Sequence, residues 1–171
     1  MTPARTLAIA ASLALALACT TQPPVDPRLG RVMPDVGLVI GAGTVAGQEW
    51  LVGVTAREGR ICFTPIIGGR RDATSCTGLD GPVRNDVAMG FSGGQPIVLS
   101  GTTASGTAFV ELVGIGASWR VVPVSLAPIG MPGGAYAFVV APGVTFVGVR
   151  FIDAAGGVVE TVEVHLPQVV P

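Results

Sequence analysis

The sequence predicts an all-β protein, and two observations support that prediction. Short segments rich in Val, Ile, Phe and Trp recur from Val36 onward, each bounded by Gly, Pro, Ser or Asp. None of these segments has the apolar stripe of an amphipathic helix, and the 25 glycines and 14 prolines disfavour long helices. Evenly spaced strands without helices between them are typical of sandwiches and barrels. We therefore expect one antiparallel β-sandwich over residues 36–167, with an immunoglobulin-like sandwich as one version of it.

The first predicted pair of strands is a hairpin. Glu49–Arg57 and Arg60–Ile67 are rich in β-forming residues, and Glu58-Gly59 between them has the length of a tight hairpin turn. Gly68–Ser75 is then expected to form a loop, and Cys76 is expected to bring the chain back beside Arg60–Ile67.

The remaining predicted strands are short and separated by turn residues. In chain order they are Asp86–Phe91, Ile97–Ser100, Ala108–Ile115, Ser118–Val124, Ala135–Val140, Thr145–Ile152 and Val158–Leu166. In the last strand apolar residues alternate with Thr161, Glu163 and His165, which is the period-two pattern of a half-buried strand. We expect residues 168–171 to be a short C-terminal tail. Two small β-subdomains divided near Gly101–Gly106 are the alternative to one sandwich.

The start of the chain has the layout of a secretory signal. Arg5 precedes an uncharged apolar run, Leu7–Leu17, and Ala18 supplies the small residue before Cys19. The run is shorter than the roughly 20 apolar residues that span a bilayer. We therefore expect residues 1–18 to be a cleaved signal peptide and the protein to be exported.

Leu17-Ala18-Cys19 resembles the lipobox of bacterial lipoproteins. The chain as a whole is similar to small lipoproteins of unknown function from high-GC bacteria, in which a lipobox and a Pro/Thr-rich spacer precede a β-rich domain. The resemblance implies lipidation of Cys19, a disordered linker over residues 19–35, and anchoring to the membrane on its extracytoplasmic side. It implies no catalytic residues. An ordinary secretory signal with an incidental cysteine is the alternative.

Two further cysteines, Cys62 and Cys76, are predicted to form a disulfide. Export places them in an oxidising compartment, where thiols pair. Closing a loop of this length stabilises a fold by roughly 3 kcal/mol in the chain-entropy model. A metal site is the competing interpretation, but there is no CxxC spacing and the single histidine, His165, is distant in the chain. We expect neither a metal nor a cofactor.

Composition argues against a nucleic-acid partner. The formal net charge is −1 and only 12% of residues are charged, whereas phosphate binding needs clustered positive charge. Arg70-Arg71-Asp72 is the most charged short run, and it lies inside the expected disulfide loop. Residues that bind partners concentrate on loops held by a scaffold. This loop, with Arg84 near its base, is therefore our candidate ligand site, for a protein or a cell-envelope polymer; a solvated loop tip is the simpler interpretation.

Two motifs in the chain resemble catalytic or cofactor sites without their structural context. Val39–Gly47 contains a GxGxxG-like run, but Gln48–Leu51 leads directly into another strand, which leaves no room for the helix of a dinucleotide-binding fold. Gly90–Gly94 fits the GxSxG nucleophile elbow around Ser92. The elbow needs a helix after the serine, and here a strand is expected.

The function predicted from sequence is therefore a non-catalytic binding or structural module, anchored outside the cytoplasm. One alternative is an extracellular serine hydrolase that uses Ser92 with Asp153 and His165, which follow in the chain order of the α/β-hydrolases. A second alternative is a carrier with an apolar pocket between its sheets, because apolar residues dominate the strands.

Overall fold

The structure is a computed structural model that describes residues 25–79, 81–90 and 96–164. Cys19, Ser92 and His165 lie outside the described residues. Every strand pair in the described part of the chain is antiparallel, and the only helical element there is a single 3-10 turn, Ala127–Ile129. The predicted all-β antiparallel fold is confirmed.

The first sheet is built from the residues up to Gly78. Its strands are β1 (Val32–Met33), β2 (Gly37–Val45), β3 (Gln48–Arg57), β4 (Arg60–Ile67), β5 (Arg70–Arg71) and β6 (Ser75–Gly78). They pair in chain order from β1 to β5, and β6 also pairs with β4. The predicted hairpin is confirmed, because Arg57 pairs with Arg60 and the turn residues Glu58 and Gly59 have φ of 50° and 71°. Positive φ at both positions is typical of a two-residue hairpin turn.

Two four-stranded sheets contain the rest of the described chain. The middle sheet has the order β11 (Val124–Ser125), β12 (Gly134–Val140), β8 (Ile97–Thr103), β7 (Ala88–Gly90). The third sheet has the order β10 (Ser118–Val121), β9 (Thr107–Gly114), β13 (Phe146–Asp153), β14 (Val158–Glu163). The strand predicted over Ser118–Val124 is thus divided between two sheets. Pro123 lies at the division, and proline has no N–H for a ladder hydrogen bond.

The middle sheet is covered on both faces. Val98, Ala135 and Ala137 pack into one apolar cluster with residues of the first sheet. Leu99 and Tyr136, each adjacent in sequence to one of those residues, pack into a second cluster with residues of the third sheet. Side chains alternate between the two faces of a strand, so β8 and β12 each supply both clusters. The molecule therefore has three β layers around two cores.

The immunoglobulin-like version of the prediction is not confirmed. An immunoglobulin domain has two sheets and a disulfide that joins them. Here three sheets are present, and Cys62 and Cys76 lie opposite each other on paired strands of one sheet. The alternative boundary near Gly101–Gly106 would separate β8 from β12, although the two strands are paired from Ile97 to Thr103.

Part of the expected linker belongs to the folded domain. β1 pairs with β2, and Leu29 and Met33 pack against the first sheet beside Val36, Val39 and Leu51. The expectation of a disordered linker over residues 19–35 is therefore wrong for residues 25–35. Its earlier part lies outside the described residues.

A local ion pair stabilises the entry to this segment. The Arg28 guanidinium is 2.7 Å from the Asp26 carboxylate, and the Arg28 backbone N–H donates to the same side chain at 2.9 Å. These hydrogen bonds lower the pKa of Asp26 from 3.8 to about 2. The carboxylate therefore stays charged and holds the turn over most of the acidic pH range.

Candidate functional site

A cavity of about 320 Å³ lies where the first and middle sheets meet. The first sheet contributes the early part of β4 and the end of β6, and β8 contributes one residue from the middle sheet. The segment between β6 and β7 forms the rest of the wall. The lining residues are Ile61, Thr77, Gly78, Leu79, Pro82, Val83, Arg84, Asn85, Asp86 and Thr102.

Backbone contacts hold the wall segment against β8. The Thr102 hydroxyl donates to the Arg84 carbonyl at 2.6 Å, and the Asp86 N–H donates to the Thr102 carbonyl at 3.0 Å. Gly101 permits this approach, because a Cβ at that position would lie 1.8 Å from the Asp86 carbonyl oxygen. The wall is therefore held by the backbone carbonyl of Arg84 and the backbone N–H of Asp86, and these contacts leave the Arg84 guanidinium unused.

Tyr136 supports the same segment from the core. Its hydroxyl donates to the Asp86 carbonyl at 2.9 Å, and its ring packs edge-on against Phe138 and Phe151. Burial raises the pKa of Tyr136 well above its ordinary value of 10.0, and the nearby charge of Asp86 raises it further. The phenol therefore remains a neutral donor, as the hydrogen bond to a carbonyl requires.

Asn85 connects the wall to the third sheet. Its carbonyl oxygen accepts from the Ala104 N–H at 2.9 Å and from the Thr107 hydroxyl at 3.1 Å. Its amide donates to the Glu160 carboxylate at 2.8 Å. Three partners leave this amide little capacity for a ligand, so we regard Asn85 as a positioning residue.

Arg84 is the cation of the cavity. It is exposed, and it forms no ion pair with any residue in the described part of the chain. Asp86 also lines the cavity, and its carboxylate accepts from the Val87 N–H at 2.8 Å. The walls thus combine one guanidinium with hydroxyl groups and with the apolar surfaces of Ile61, Leu79 and Val83.

The disulfide predicted from the sequence is present and borders the cavity. Cys62 and Cys76 are bonded and are direct partners in the β4–β6 register. The next pair along that register, Ile61 and Thr77, lines the cavity. Arg84 therefore lies near the base of the disulfide loop, and the covalent link holds one wall of the cavity in place.

Arg70 and Arg71 lie at the other end of β4. The expected loop over these residues is wrong in detail, since they form the short strand β5 after a turn at Gly68-Gly69, whose φ angles are 56° and 76°. Arg70 pairs with Ile67, whereas the cavity begins at Ile61. Six residues of strand extend over roughly 20 Å. The tip, which comprises Arg70, Arg71 and Asp72, is therefore a separate site from the cavity.

The tip itself is partly anchored. A guanidinium nitrogen of Arg71 donates to the Asp35 carbonyl, and Asp72 accepts from the Ala73 N–H at 2.8 Å. The Asp72 N–H donates to the Pro65 carbonyl at 2.9 Å. Arg70 and Arg71 are both exposed. The structure does not bring Arg84 together with them, so the candidate site of the sequence analysis divides into two.

The hydrolase alternative lacks its structural context. β7 and β8 pair in an antiparallel hairpin, with Ala88 opposite Ser100, so a strand follows the GxSxG run where the elbow needs a helix. Asp153 accepts from the N–H groups of Ala155 and Gly157 at 2.9 and 2.8 Å. This carboxylate therefore stabilises the turn between β13 and β14.

The glycine-rich run over Val39–Gly47 has a packing role. β2 and β3 form a hairpin there, in place of the strand–helix unit of a dinucleotide site. A Cβ on Gly41 or Gly43 would lie 2.9 or 3.1 Å from the ring of Trp50. The glycines therefore make room for this indole.

No protein-family model, curated protein or solved structure matches this chain. In the described residues no three His, Cys, Asp or Glu side chains are grouped as a metal site would require. Nor does that part of the chain contain a helix long and apolar enough to cross a membrane.

Proposed function

We propose that this protein is an exported, non-catalytic binding module, tethered to the membrane through Cys19, whose ligand occupies the cavity beside Arg84. The observation that supports this most directly is the cavity of about 320 Å³, whose wall includes a guanidinium that forms no ion pair with any described residue. Pockets for small molecules begin at about 300 Å³ and combine apolar walls with a few fixed polar groups.

The chemistry of the walls favours a small organic anion with an apolar part. Arg84 can bind a carboxylate or a phosphate through two parallel N–H···O bonds. Ile61, Leu79 and Val83 offer apolar surface beside it, and the Thr77 hydroxyl offers a hydrogen-bonding group. The end group of an anionic cell-envelope polymer has the same chemistry.

The lining favours this anion over the ligand of an apolar carrier. An arginine, an aspartate, an asparagine and two threonines are among the ten lining residues. A ligand without polar groups would desolvate the Arg84 guanidinium without supplying a counter-charge, which is costly. The cavity therefore fits an amphiphilic ligand of modest size.

Export and tethering rest on the start of the chain and on the cysteines. The Cys62–Cys76 disulfide is suited to an oxidising compartment. Cys19 remains outside that bond, directly after the signal-like run. Acylation at Cys19 would anchor the domain, since each buried methylene contributes about 0.8 kcal/mol.

Binding at the cavity is tested with benzoate and with its uncharged counterpart benzamide. We expect benzoate to shift the backbone NMR signals of Leu79–Asp86 and Thr102, with a dissociation constant of about 1 mM. Benzamide should bind at least about tenfold more weakly, because it lacks the charge that pairs with Arg84.

Arg84→Gln and Arg70→Gln form the matched pair for this titration, since each removes one exposed arginine. We expect Arg84→Gln to abolish the benzoate shifts and Arg70→Gln to leave them unchanged. Equal losses, or no shifts around the cavity in the unchanged protein, would contradict the assignment of the site.

The tether is tested separately in cells that express the full chain. Cys19→Ala should move the protein from the membrane fraction to the soluble fraction or leave its signal uncleaved. Normal cleavage with unchanged membrane partitioning would refute lipidation without affecting the assignment of the cavity.

A further inference from the structure

The edge strands of the three sheets differ in how they resist pairing with another chain. An exposed edge presents unpaired N–H and C=O groups, and proteins usually protect it by shortness or charge. β1, β5 and β11 have two residues each, and β7 has three. β14 is longer but carries Glu160 and Glu163.

β10, residues Ser118–Val121, is one residue longer than β7 and carries a single charge. Residues 115–120 are all exposed, and the side chain of Trp119 retains 41% of its accessible surface. Ile115 and Val122, which flank the strand, are 73% and 67% exposed. The one charge of the strand, Arg120, is already paired with Glu111 at 3.2 Å. This edge of the third sheet is therefore open and nearly neutral.

The register of β10 on β9 determines which backbone groups are free. The Gly114 N–H donates to the Ala117 carbonyl at 2.8 Å, so these two residues form a hydrogen-bonded pair. Hydrogen-bonded and non-hydrogen-bonded pairs alternate along an antiparallel ladder. Ser118 and Arg120 therefore direct their backbone N–H and C=O groups away from β9.

We propose that β10 pairs with β10 of a second copy of this chain, antiparallel and with Trp119 opposite Trp119 of the partner. Only this centre places Ser118 opposite Arg120 of the other copy. By symmetry this pair occurs twice in the dimer, so the outward N–H and C=O groups of both residues form hydrogen bonds in each pair. A centre on Arg120 would place like charges opposite each other, which is destabilising. The charge pattern thus disfavours a centre on Arg120, and the resulting interface is isologous.

Side chains support the same register. The two Trp119 residues would form a non-hydrogen-bonded pair, in which Cα atoms lie about 4.5 Å apart and side chains pack closely. Each Arg120 would face the Ser118 hydroxyl of the other copy while keeping Glu111 as its ion-pair partner. The third sheets of two copies would then join into one continuous sheet.

Cysteine cross-linking tests the register in the full chain carrying Cys19→Ser, which removes the remaining free thiol. We expect Trp119→Cys to give a disulfide-linked dimer on mild oxidation, since the paired Cβ atoms are within reach of a disulfide. Ser118→Cys is the matched control, and it should stay monomeric because the two Ser118 positions lie diagonally, about 7–8 Å apart. Absence of a Trp119→Cys dimer, or equal yields from both variants, would overturn the proposal.

Sedimentation velocity tests the pairing without introducing a thiol. Ser118→Pro removes an N–H that faces away from β9 and thus leaves the β9–β10 hairpin bonds intact. We expect it to raise the dimer dissociation constant at least about tenfold relative to Ser118→Ala. A monomeric unchanged protein at high micromolar concentration, or equal constants for the two variants, would contradict the dimer.

Discussion

The middle sheet meets its two neighbours through different kinds of side chain. Toward the first sheet β12 presents Ala135 and Ala137, and toward the third sheet it presents Tyr136 and Phe138. On the first side the backbones come close, since a Cβ on Gly41 would lie 3.0 Å from that of Ala137. On the second side aromatic rings fill the space, with centroids of Tyr136 and Phe151 separated by 5.8 Å.

This difference shows that the two faces of one strand can be sensitive to opposite changes. Where large side chains meet, stability falls mainly when atoms are removed, because a cavity remains. Where a glycine lies against an alanine, as Gly41 does against Ala137, stability falls mainly when atoms are added, because neighbours must move.

The largest effect is expected for Phe151→Ala in the third sheet. Phe151 is fully buried, and truncation of a buried phenylalanine costs about 3–5 kcal/mol. Urea unfolding monitored by tryptophan fluorescence measures the change. Val147→Ala on the same strand is the control, and its effect should be small because Val147 is 50% exposed. Comparable losses in the two variants would contradict the aromatic core.

Replacing both cysteines of the disulfide by alanine should lower stability by about 3 kcal/mol, mainly through the gain in unfolded-state entropy. Thermal unfolding of the oxidised protein against the double variant measures this. A single Cys62→Ser replacement should in addition leave Cys76 reactive toward a thiol reagent. An unchanged melting temperature would show that the backbone pairing of β4 and β6 suffices.

Gly41→Ala should cost about 1–3 kcal/mol, because its Cβ would meet both the Trp50 ring and Ala137. Ala137→Gly removes one of these contacts. When it is combined with Gly41→Ala, the double variant should therefore regain part of the stability that Gly41→Ala loses. Gly90→Ala is the control, because a Cβ added at Gly90 has no heavy atom within 4 Å. Gly47→Ala would not serve, because φ at Gly47 is 76° and strains any residue other than glycine. Additive effects of Gly41→Ala and Ala137→Gly would contradict a close contact between the two sheets.

The smallest effect at neutral pH is expected for Tyr136→Phe. It removes the hydrogen bond to the Asp86 carbonyl, which should cost about 1–2 kcal/mol. Above a pH of about 10 the unfolded tyrosine loses its proton while the folded one keeps it, because burial raises its pKa. The unfolded state then binds fewer protons, so stability falls as the pH rises.

The pH dependence has its own control. Stability of the unchanged protein should fall by up to about 1.4 kcal/mol per pH unit more than that of Tyr136→Phe above pH 10. Parallel pH profiles for the two proteins would show that Tyr136 is accessible to water in the folded state.

Local patterns predicted several elements correctly. Glu58-Gly59 indicated its hairpin because two residues between β-rich runs are the length of a tight turn. The disulfide was predicted from the expected export and from the two remaining cysteines. Other elements were beyond local patterns. The β2–β3 hairpin, which turns at Ala46-Gly47, was difficult to predict because its sequence is rich in glycine. These glycines make room for the indole of Trp50, a contact that local sequence does not indicate.

The candidate site was only partly predictable. Arg84 was singled out by its charge and its position after Cys76. Thr102 and Asp86, which line the same cavity, belong to segments without any motif, because they meet only when Gly101 lets the wall segment approach β8. The separation of Arg70 and Arg71 from Arg84 was likewise not visible in the sequence, since it depends on which part of β4 each segment joins.

The sequence by itself determined the all-β class, the hairpin turn at Glu58-Gly59 and the pairing of Cys62 with Cys76. These depend on neighbouring residues or on residue counts, and such information is local. Only the tertiary structure decided that there are three layers and that a cavity lies between two of them. Burial of both faces of β12 depends on contacts with strands from both halves of the chain. The run Gly134–Val140 is apolar throughout, so its sequence does not indicate whether one face or both faces of the strand are covered.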